Sequence, residues 1–244
     1  MEYSENFVNR LLQSKRLVIL TGAGTSAESG IATFRDPEGL WSKFDPLELA
    51  SIDGFLANPK LVWEWYQYRV NIINNAKPNG GHLAITELQK IKDNLVIVTQ
   101  NVDRLHQKAG SKNVIELHGD IITNRCFDCE KQYLGKTLLP NNELPKCNFC
   151  NGKIRPNVVW FGEQLPQKAI SDSENHAKKS DVFLIAGTSS EVYPAAGLSY
   201  LAKQYGSFVI EINPNETNFS SSADYIIREK SSHAFQNILN ILKD

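Results

Sequence analysis

Six short strand-like runs, each ending in a small or polar residue, constrain this chain more than any other feature. They are LVILT (17–21), NLVIVTQN (94–101), NVIELHG (113–119), DVFLIAGTS (181–189), FVIEIN (208–213) and ADYIIRE (223–229). Runs this short and this apolar suit strands buried on both faces, not helices. Helical patterns fall between and around them: 4–14, 59–73, 82–90, 103–110, 195–206 and 233–243. The third of these follows PNGG (78–81), and the second opens at Asn58-Pro59, a capping side chain before a residue whose missing N–H costs nothing there. Strands alternating with helices predict an α/β fold: a doubly wound, mainly parallel, Rossmann-like sheet with helices on both faces. Ligands of such folds bind outside the carboxyl ends of the strands.

Two stretches break the rhythm. Residues 33–54 read as loop, punctuated by Pro37, Gly39, Pro46 and Gly54. Residues 120–160 carry little continuous core and all four cysteines of the chain. A length of 244 residues suits one domain with a smaller lobe inserted. The expected division is a dinucleotide-binding domain over 1–119 and 160–244, with a helical insertion around 33–82, and a small lobe over 120–159.

Cys126-x-x-Cys129 and Cys147-x-x-Cys150 are separated by 17 residues. Two such pairs form two knuckles that point four thiolates at one ion, the zinc-ribbon pattern. Four protein ligands leave no open coordination position, so the reading is one structural zinc, not a catalytic one. The opening segment, MEYSENFVNRLLQSKR, lacks the apolar core of a signal peptide, and no apolar run reaches membrane-spanning length. The expected setting is cytoplasmic, where reduced thiols favour metal over disulfides. A net charge of -1 gives no footprint for nucleic acid or for an anionic membrane.

After the first strand comes Gly22-Ala23-Gly24-Thr25-Ser26-Ala27, which fits G-x-G-x-x-G/A. Small residues here let the backbone approach a pyrophosphate at a helix N-terminus. The same string also suits a plain tight turn. A hydride-transfer enzyme would follow with a strand ending in an acid about 20 residues on, and ATFRDPEGLWSKFDP (32–46) is not one. That stretch instead brings Phe34 and Arg35 near the expected cofactor. Gly187-Thr188-Ser189 and Asn213 end later strands, placing them where phosphates and a ribose would lie. Gln100-Asn101-Val102-Asp103 and His118 end two more. A histidine at such a rim is either structural or, with a pKa near neutrality, a general base.

Taken together, the strings GAGTSAESGIATFR (22–35), TQNVDRLH (99–106), ELHG (116–119), the two CxxC pairs, NVVWFGE (157–163), GTSSEVYP (187–194) and IN (212–213) resemble the sirtuin family of NAD-dependent protein lysine deacylases. They run through nearly the whole chain in family order. The resemblance implies NAD bound between the α/β domain and the zinc lobe. Ala23, Phe34 and Arg35 would lie over the nicotinamide ribose, and Asn101 and Asp103 would line the nicotinamide pocket. Gly22, Gly24, Thr25, Ser26, Gln100, Val102, Gly187, Thr188, Ser189 and Asn213 would complete the cofactor site, with Ser231 near adenine. It implies that the acyl-lysine oxygen attacks the ribose as nicotinamide leaves. His118 then acts as base on a ribose hydroxyl, which takes up the acyl group. Val159, Phe161 and Gly162 match a segment that pairs with the substrate backbone. The implied substrates are acylated lysines of proteins or peptides. Nothing fixes the oligomeric state, and a monomer is compatible.

In the helix after Pro59, Val62, Tyr66, Arg69 and Ile73 share one face by their 4, 3, 4 spacing. An arginine on such a face either reaches solvent, pairs internally or meets a ligand carboxylate. The resemblance favours the last: sirtuins that prefer succinyl, malonyl or glutaryl lysine carry Tyr-x-x-Arg in this helix, with a small residue sixteen positions before the tyrosine. Ala50 matches that residue. The expectation is desuccinylase and demalonylase activity with deacetylation retained. The chain departs from the family at Asp36-Pro37-Glu38, which adds two acids, and at Glu229-Lys230-Ser231, which replaces a more glycine-rich segment. Rival readings are a protein ADP-ribosyltransferase using the same NAD site and a non-catalytic NAD-sensing or zinc-lobe binding module. A simple dehydrogenase is a third, weakened by the missing acid.

Overall fold

In a computed structural model of the chain, residues 3–33, 45–135 and 144–243 are described. The first half runs α1 (Glu5–Gln13), β1 (Leu17–Thr21), α2 (Gly24–Ala27), α3 (Pro46–Leu49), α4 (Ile52–Ala57), α5 (Pro59–Asn75), α6 (Gly80–Ile91), β2 (Leu95–Thr99), α7 (Leu105–Lys108) and β3 (Val114–Glu116). Next come β4 (Gly119–Cys126), β5 (Gln132–Tyr133) and β6 (Ile154–Val158). The remainder is α8 (Gln167–Lys179), β7 (Val182–Ala186), α9 (Gly197–Gln204), β8 (Phe208–Ile212), β9 (Tyr225–Ile227) and α10 (Ser231–Lys243).

The main sheet has the order β3-β2-β1-β7-β8-β9, and each neighbouring pair is parallel. This is the expected doubly wound α/β fold. The chain winds outward from β1 to β3, then crosses back to β7, so the strand order reverses between β1 and β7. A crevice opens at such a reversal. Side chains of β1 alternate across the sheet: Leu17 and Ile19 join one core, Val18 and Leu20 the other. On the first face pack Phe7 and Leu11 of α1, Ile85 and Leu88 of α6, and Phe235 and Ile238 of α10. On the second pack Ala177 of α8 and Leu198 and Ala202 of α9.

A second, three-stranded sheet, β5-β4-β6, is antiparallel and holds the cysteine lobe. A third core joins this lobe to α3, α4 and α5 through Leu49, Phe55, Trp63 and Tyr66 against Ile121, Ile154 and Trp160. The cleft described below lies between that core and the main sheet.

Several boundaries differ from the sequence reading. Two short helices, α3 and α4, occupy the end of the stretch read as loop. Asp45 caps the first through its carboxylate on the Leu47 amide, with Pro46 at the opening position. Ser51 caps the second on the Gly54 amide. Helix α8 went unread because only Ser173 and Ala177 of its thirteen residues are buried, which leaves too faint an apolar period. Helix α7 is a four-residue turn, shorter than the expected 103–110.

Candidate active site and metal centre

At the carboxyl ends of β1 and β7 the backbones approach closely. The Gly24 amide donates to the Gly187 carbonyl at 2.8 Å, and the Gly187 amide donates to the Ile212 carbonyl at 3.1 Å. A Cβ on Gly24 would stand 2.8 Å from the Gly187 Cα, and one on Gly22 would stand 2.7 Å from the Thr188 Cβ. Gly187 itself has φ +61°, a conformation that side chains resist. Glycine is therefore required here by contact as well as by dihedral. These turns floor a cleft of about 750 Å³.

Two further strand ends are tied to this floor. Gln100, after β2, donates from Nε2 to the Thr188 Oγ1 at 3.1 Å. Asn213, after β8, donates from Nδ2 to the Thr188 carbonyl at 3.1 Å. Ala23, Val102, Ser189 and Ser231 also line the cleft. Phe34 and Arg35 lie outside the described residues. Thr25 is buried beneath the lining, its hydroxyl donating to the Gly22 carbonyl at 2.8 Å.

Asn101 and Asp103 are buried at one end. The Asn101 Nδ2 faces the Gly22 carbonyl at 3.0 Å and the Thr25 and Ser26 hydroxyls at 3.1 Å each. Asp103 accepts from the Ser26 hydroxyl at 2.7 Å and from the Leu105 amide at 2.8 Å. A polar network supports this corner from inside. The Thr21 hydroxyl donates to Thr99 at 2.8 Å, and the Thr99 Oγ1 accepts the Asn101 amide at 3.0 Å. With the Thr21 proton so used, His106 Nε2, 3.1 Å away, is the donor to Thr21. Burial, aided by the neighbouring His82, holds the His106 imidazole down to about 3, so it is neutral at physiological pH.

His118 lies against the same cleft, its Nδ1 3.0 Å from the Gln100 carbonyl. A carbonyl only accepts, so Nδ1 carries the proton and Nε2 keeps its lone pair. Burial pushes this imidazole below its ordinary pKa, against the opposing pull of the Gln100 carbonyl. The side chain is thus a neutral base of fixed tautomer.

The far wall is built by α5 and the segment after β6. Val62, Tyr66, Arg69 and Ile73 are buried along one face of α5, the predicted stripe. Ala50, Tyr66 and Arg69 all line the cleft. The Arg69 guanidinium carbon stands 4.8 Å from the centre of the Trp65 ring. The Tyr66 hydroxyl accepts from the Trp160 indole at 2.9 Å. Burial raises the Tyr66 phenol above its usual range, against Arg69 and Trp160, so it stays a hydroxyl.

Val159 and Phe161 line the cleft, whereas Gly162, at φ +84°, sits just beyond. Backbone amides of this segment are already bonded within the protein. The Val159 amide donates to the His118 carbonyl at 2.9 Å, Phe161 to Ala50 at 2.8 Å, and Trp160 to the Glu163 carboxylate at 2.8 Å. The sequence reading missed Arg155 and Glu163, which hold this segment. Arg155 is buried, pairs with Glu163 through both terminal guanidinium nitrogens, and donates to the Val158 carbonyl at 2.9 Å. No spacing rule marks that pair, because the two residues meet only across a bend. His82 was missed as well, although Asn79 three residues before it is a capping signal: its side chain accepts from the Gly81 and His82 amides.

The four cysteine sulfurs lie within 4.8 Å of one another, with Cys126 to Cys150 at 3.5 Å and Cys129 to Cys147 at 3.6 Å. Zinc–thiolate bonds of about 2.3 Å set sulfurs about 3.8 Å apart in a tetrahedron, so the cluster fits one zinc ion. Backbone amides already point at the sulfurs, from Asp128 and Cys129 to Cys126 and from Phe149 to Cys147, each at 3.4 Å. The Phe149 and Cys150 amides bring Cys147 down to about 7. Cys150 is drawn down by the Gly152 amide yet pushed up to about 12 by the Cys126 and Cys129 thiols. Such a set needs a cation before all four ionise.

Residues 22–194 match the model of the Sir2 family. A protein of Aquifex aeolicus named NAD-dependent protein deacylase is 48% identical over 96% of this chain and 98% of its own length. NAD-dependent protein deacylase 1 of Archaeoglobus fulgidus is 43% identical over 96% of each chain. The solved structure of a Sir2 homolog–NAD complex superposes with a TM-score of 0.93 at 42% identity, covering 99% of this chain and 94% of that one. A Sir2–p53 peptide–NAD+ complex gives 0.84 at 32% identity over 98% of both. The chain belongs to the Sir2 family.

Proposed function

We propose that this NAD-dependent protein deacylase removes succinyl and malonyl groups from protein lysines, and acetyl groups as well. The observation that carries the acidic preference is the shared cleft: Ala50, Tyr66 and Arg69 line the same space as His118 and the glycine cradle. A small residue, a hydroxyl donor and a guanidinium suit a short acyl chain ending in a carboxylate.

The cradle fits NAD. Gly22, Gly24 and Gly187 let the two turns pack directly on each other, so that backbone and not side chains faces a pyrophosphate, and Gln100 and Asn213 hold Thr188 in place beside it. Asn101, Asp103 and Ser26 provide the polar corner for nicotinamide, and Ser231 the adenine end. Bound NAD supplies the electrophilic ribose carbon. His118 holds its Nε2 lone pair ready to take a ribose hydroxyl proton, its Nδ1 proton anchored on Gln100. The apolar wall of Ile31, Trp65 and Val158 limits water at the reacting carbon. Val159, Phe161 and Gly162 receive the peptide backbone of the substrate, and the four cysteines hold one structural zinc. The lobe over 120–159 and the remaining α/β domain then form the two sides of the cleft.

The test is an equal mixture of acetyl- and succinyl-lysine peptides with NAD, followed by mass spectrometry, for the parent and Arg69→Met. Faster succinyl removal in the parent, lost selectively in the variant, is the expected result. Acetyl removal alone, with no effect of Arg69→Met, would discard the acidic pocket.

A further inference from the structure

Trp160 is almost fully buried, at 2% exposure, yet it carries a polar group into the wall of the cleft. Its ring is gripped on two sides: the Arg155 guanidinium lies 3.3 Å from one ring centre, and Phe55 packs at 5.1 Å with a 44° tilt. Its amide is held by Glu163 at 2.8 Å. The indole therefore has one orientation, and its N–H meets the Tyr66 hydroxyl at 2.9 Å. An indole only donates; a phenol has one proton and two lone pairs. With a lone pair of the buried Tyr66 taken by the indole, the Tyr66 proton is left to point elsewhere.

We infer that Trp160 is a specificity-determining residue: by occupying the acceptor side of Tyr66, it makes that hydroxyl a donor toward the acyl group. The inference rests on the acidic-acyl reading above. Together with Arg69, which has no acceptor atom, Tyr66 then turns a proton toward the acyl end. A carboxylate accepts at both oxygens and satisfies both. A terminal carboxamide of the same shape brings an NH2 that meets donors and is rejected. Arg155 and Glu163 act further back, as positioning residues for the indole.

The experiment compares three lysine peptides, bearing succinyl, its terminal carboxamide analogue, and acetyl, on the parent, Trp160→Phe, Tyr66→Phe and the double variant. The readout is the succinyl-to-carboxamide ratio of kcat/KM. Trp160→Phe keeps a ring but removes the N–H, so the ratio falls about 10-fold, the size expected for one hydrogen bond to a charged group. In the Tyr66→Phe background the same change adds nothing, because the indole acts through the hydroxyl. Additive losses in the double variant, or an unchanged ratio in Trp160→Phe, overturn the role of Trp160 while leaving a succinyl preference standing. A parent that does not favour succinyl over acetyl overturns the acidic-acyl reading and this inference with it. Should Trp160→Phe not fold, Trp160→Met takes its place, alone and with Tyr66→Phe: a fall that vanishes in the Tyr66→Phe background supports the inference, and an unchanged or additive ratio refutes it.

Discussion

Replacing Gly187 by alanine probes the strand-reversal crevice directly. Its φ of +61° costs an L-residue roughly 1–2 kcal/mol. The added Cβ would also stand 2.4 Å from the Thr25 amide nitrogen and 2.7 Å from the Gly24 carbonyl carbon. Both neighbours are backbone, so the two turns must separate, an overpacking cost of typically about 1–3 kcal/mol. The combined loss is about 3 kcal/mol. For a chain of this size that is a fall in Tm of about 6–12 °C. Gly206 is the control: its φ is +90°, but nothing lies within 4 Å of a Cβ there. Gly206→Ala should cost only the dihedral part, about 3–6 °C. Calorimetry reads the stabilities, and NAD titration reads the cradle. Gly187→Ala should bind NAD at least 10-fold more weakly, whereas Gly206→Ala should bind it as the parent does. Equal Tm shifts and unchanged NAD affinity in the two variants would refute the claim that backbone contact, in addition to backbone dihedral, requires glycine at 187.

Other predictions concern protons and metal. His118→Ala should abolish turnover while NAD still binds; unchanged turnover removes His118 as the base. Because burial lowers the His118 pKa, its base form persists below the ordinary histidine value of about 6.5. The acid limb of kcat/KM should therefore fall below that value, and a limb at or above it contradicts the assignment. His106 is held down to about 3, so the unfolded chain takes up a proton that the folded chain refuses. Stability is whole above about pH 6.5 and should drop by about 1.4 kcal/mol per pH unit as pH falls toward about 3. His106→Gln should remove that component from urea titrations at pH 7 and pH 5, and an unchanged slope contradicts it. Chelation or Cys147→Ser should unfold the lobe, since a closed thiolate site contributes folding energy. Metal analysis finding well under one zinc per chain would contradict a four-sulfur site.

The strands were the most legible part of the sequence, and for a physical reason. β1, β2, β7 and β8 are buried at every position, so their apolar runs are continuous and short. The Val62–Tyr66–Arg69–Ile73 stripe was legible because a helix face repeats in sequence. The cysteine knuckles were legible because each metal pair is local. Contacts between distant segments left no such trace. Trp160 meets Tyr66 across 94 positions, and Thr21 meets His106 across 85. The Arg155–Glu163 pair is near in sequence but joined by a bend with no period. Helix α8 hides because its exposed face carries nearly all its residues. Among the described residues, no helix is long and apolar enough to cross a membrane, as the sequence reading expected.

The proposed reaction transfers an acidic acyl group from lysine to the ADP-ribose part of NAD. The most direct measurement is mass spectrometry of all products from a succinyl-lysine peptide, the enzyme and NAD. Free lysine peptide, nicotinamide and succinylated ADP-ribose are expected in equal amounts. ADP-ribose attached to protein, or nicotinamide released with the succinyl group still on lysine, would contradict it.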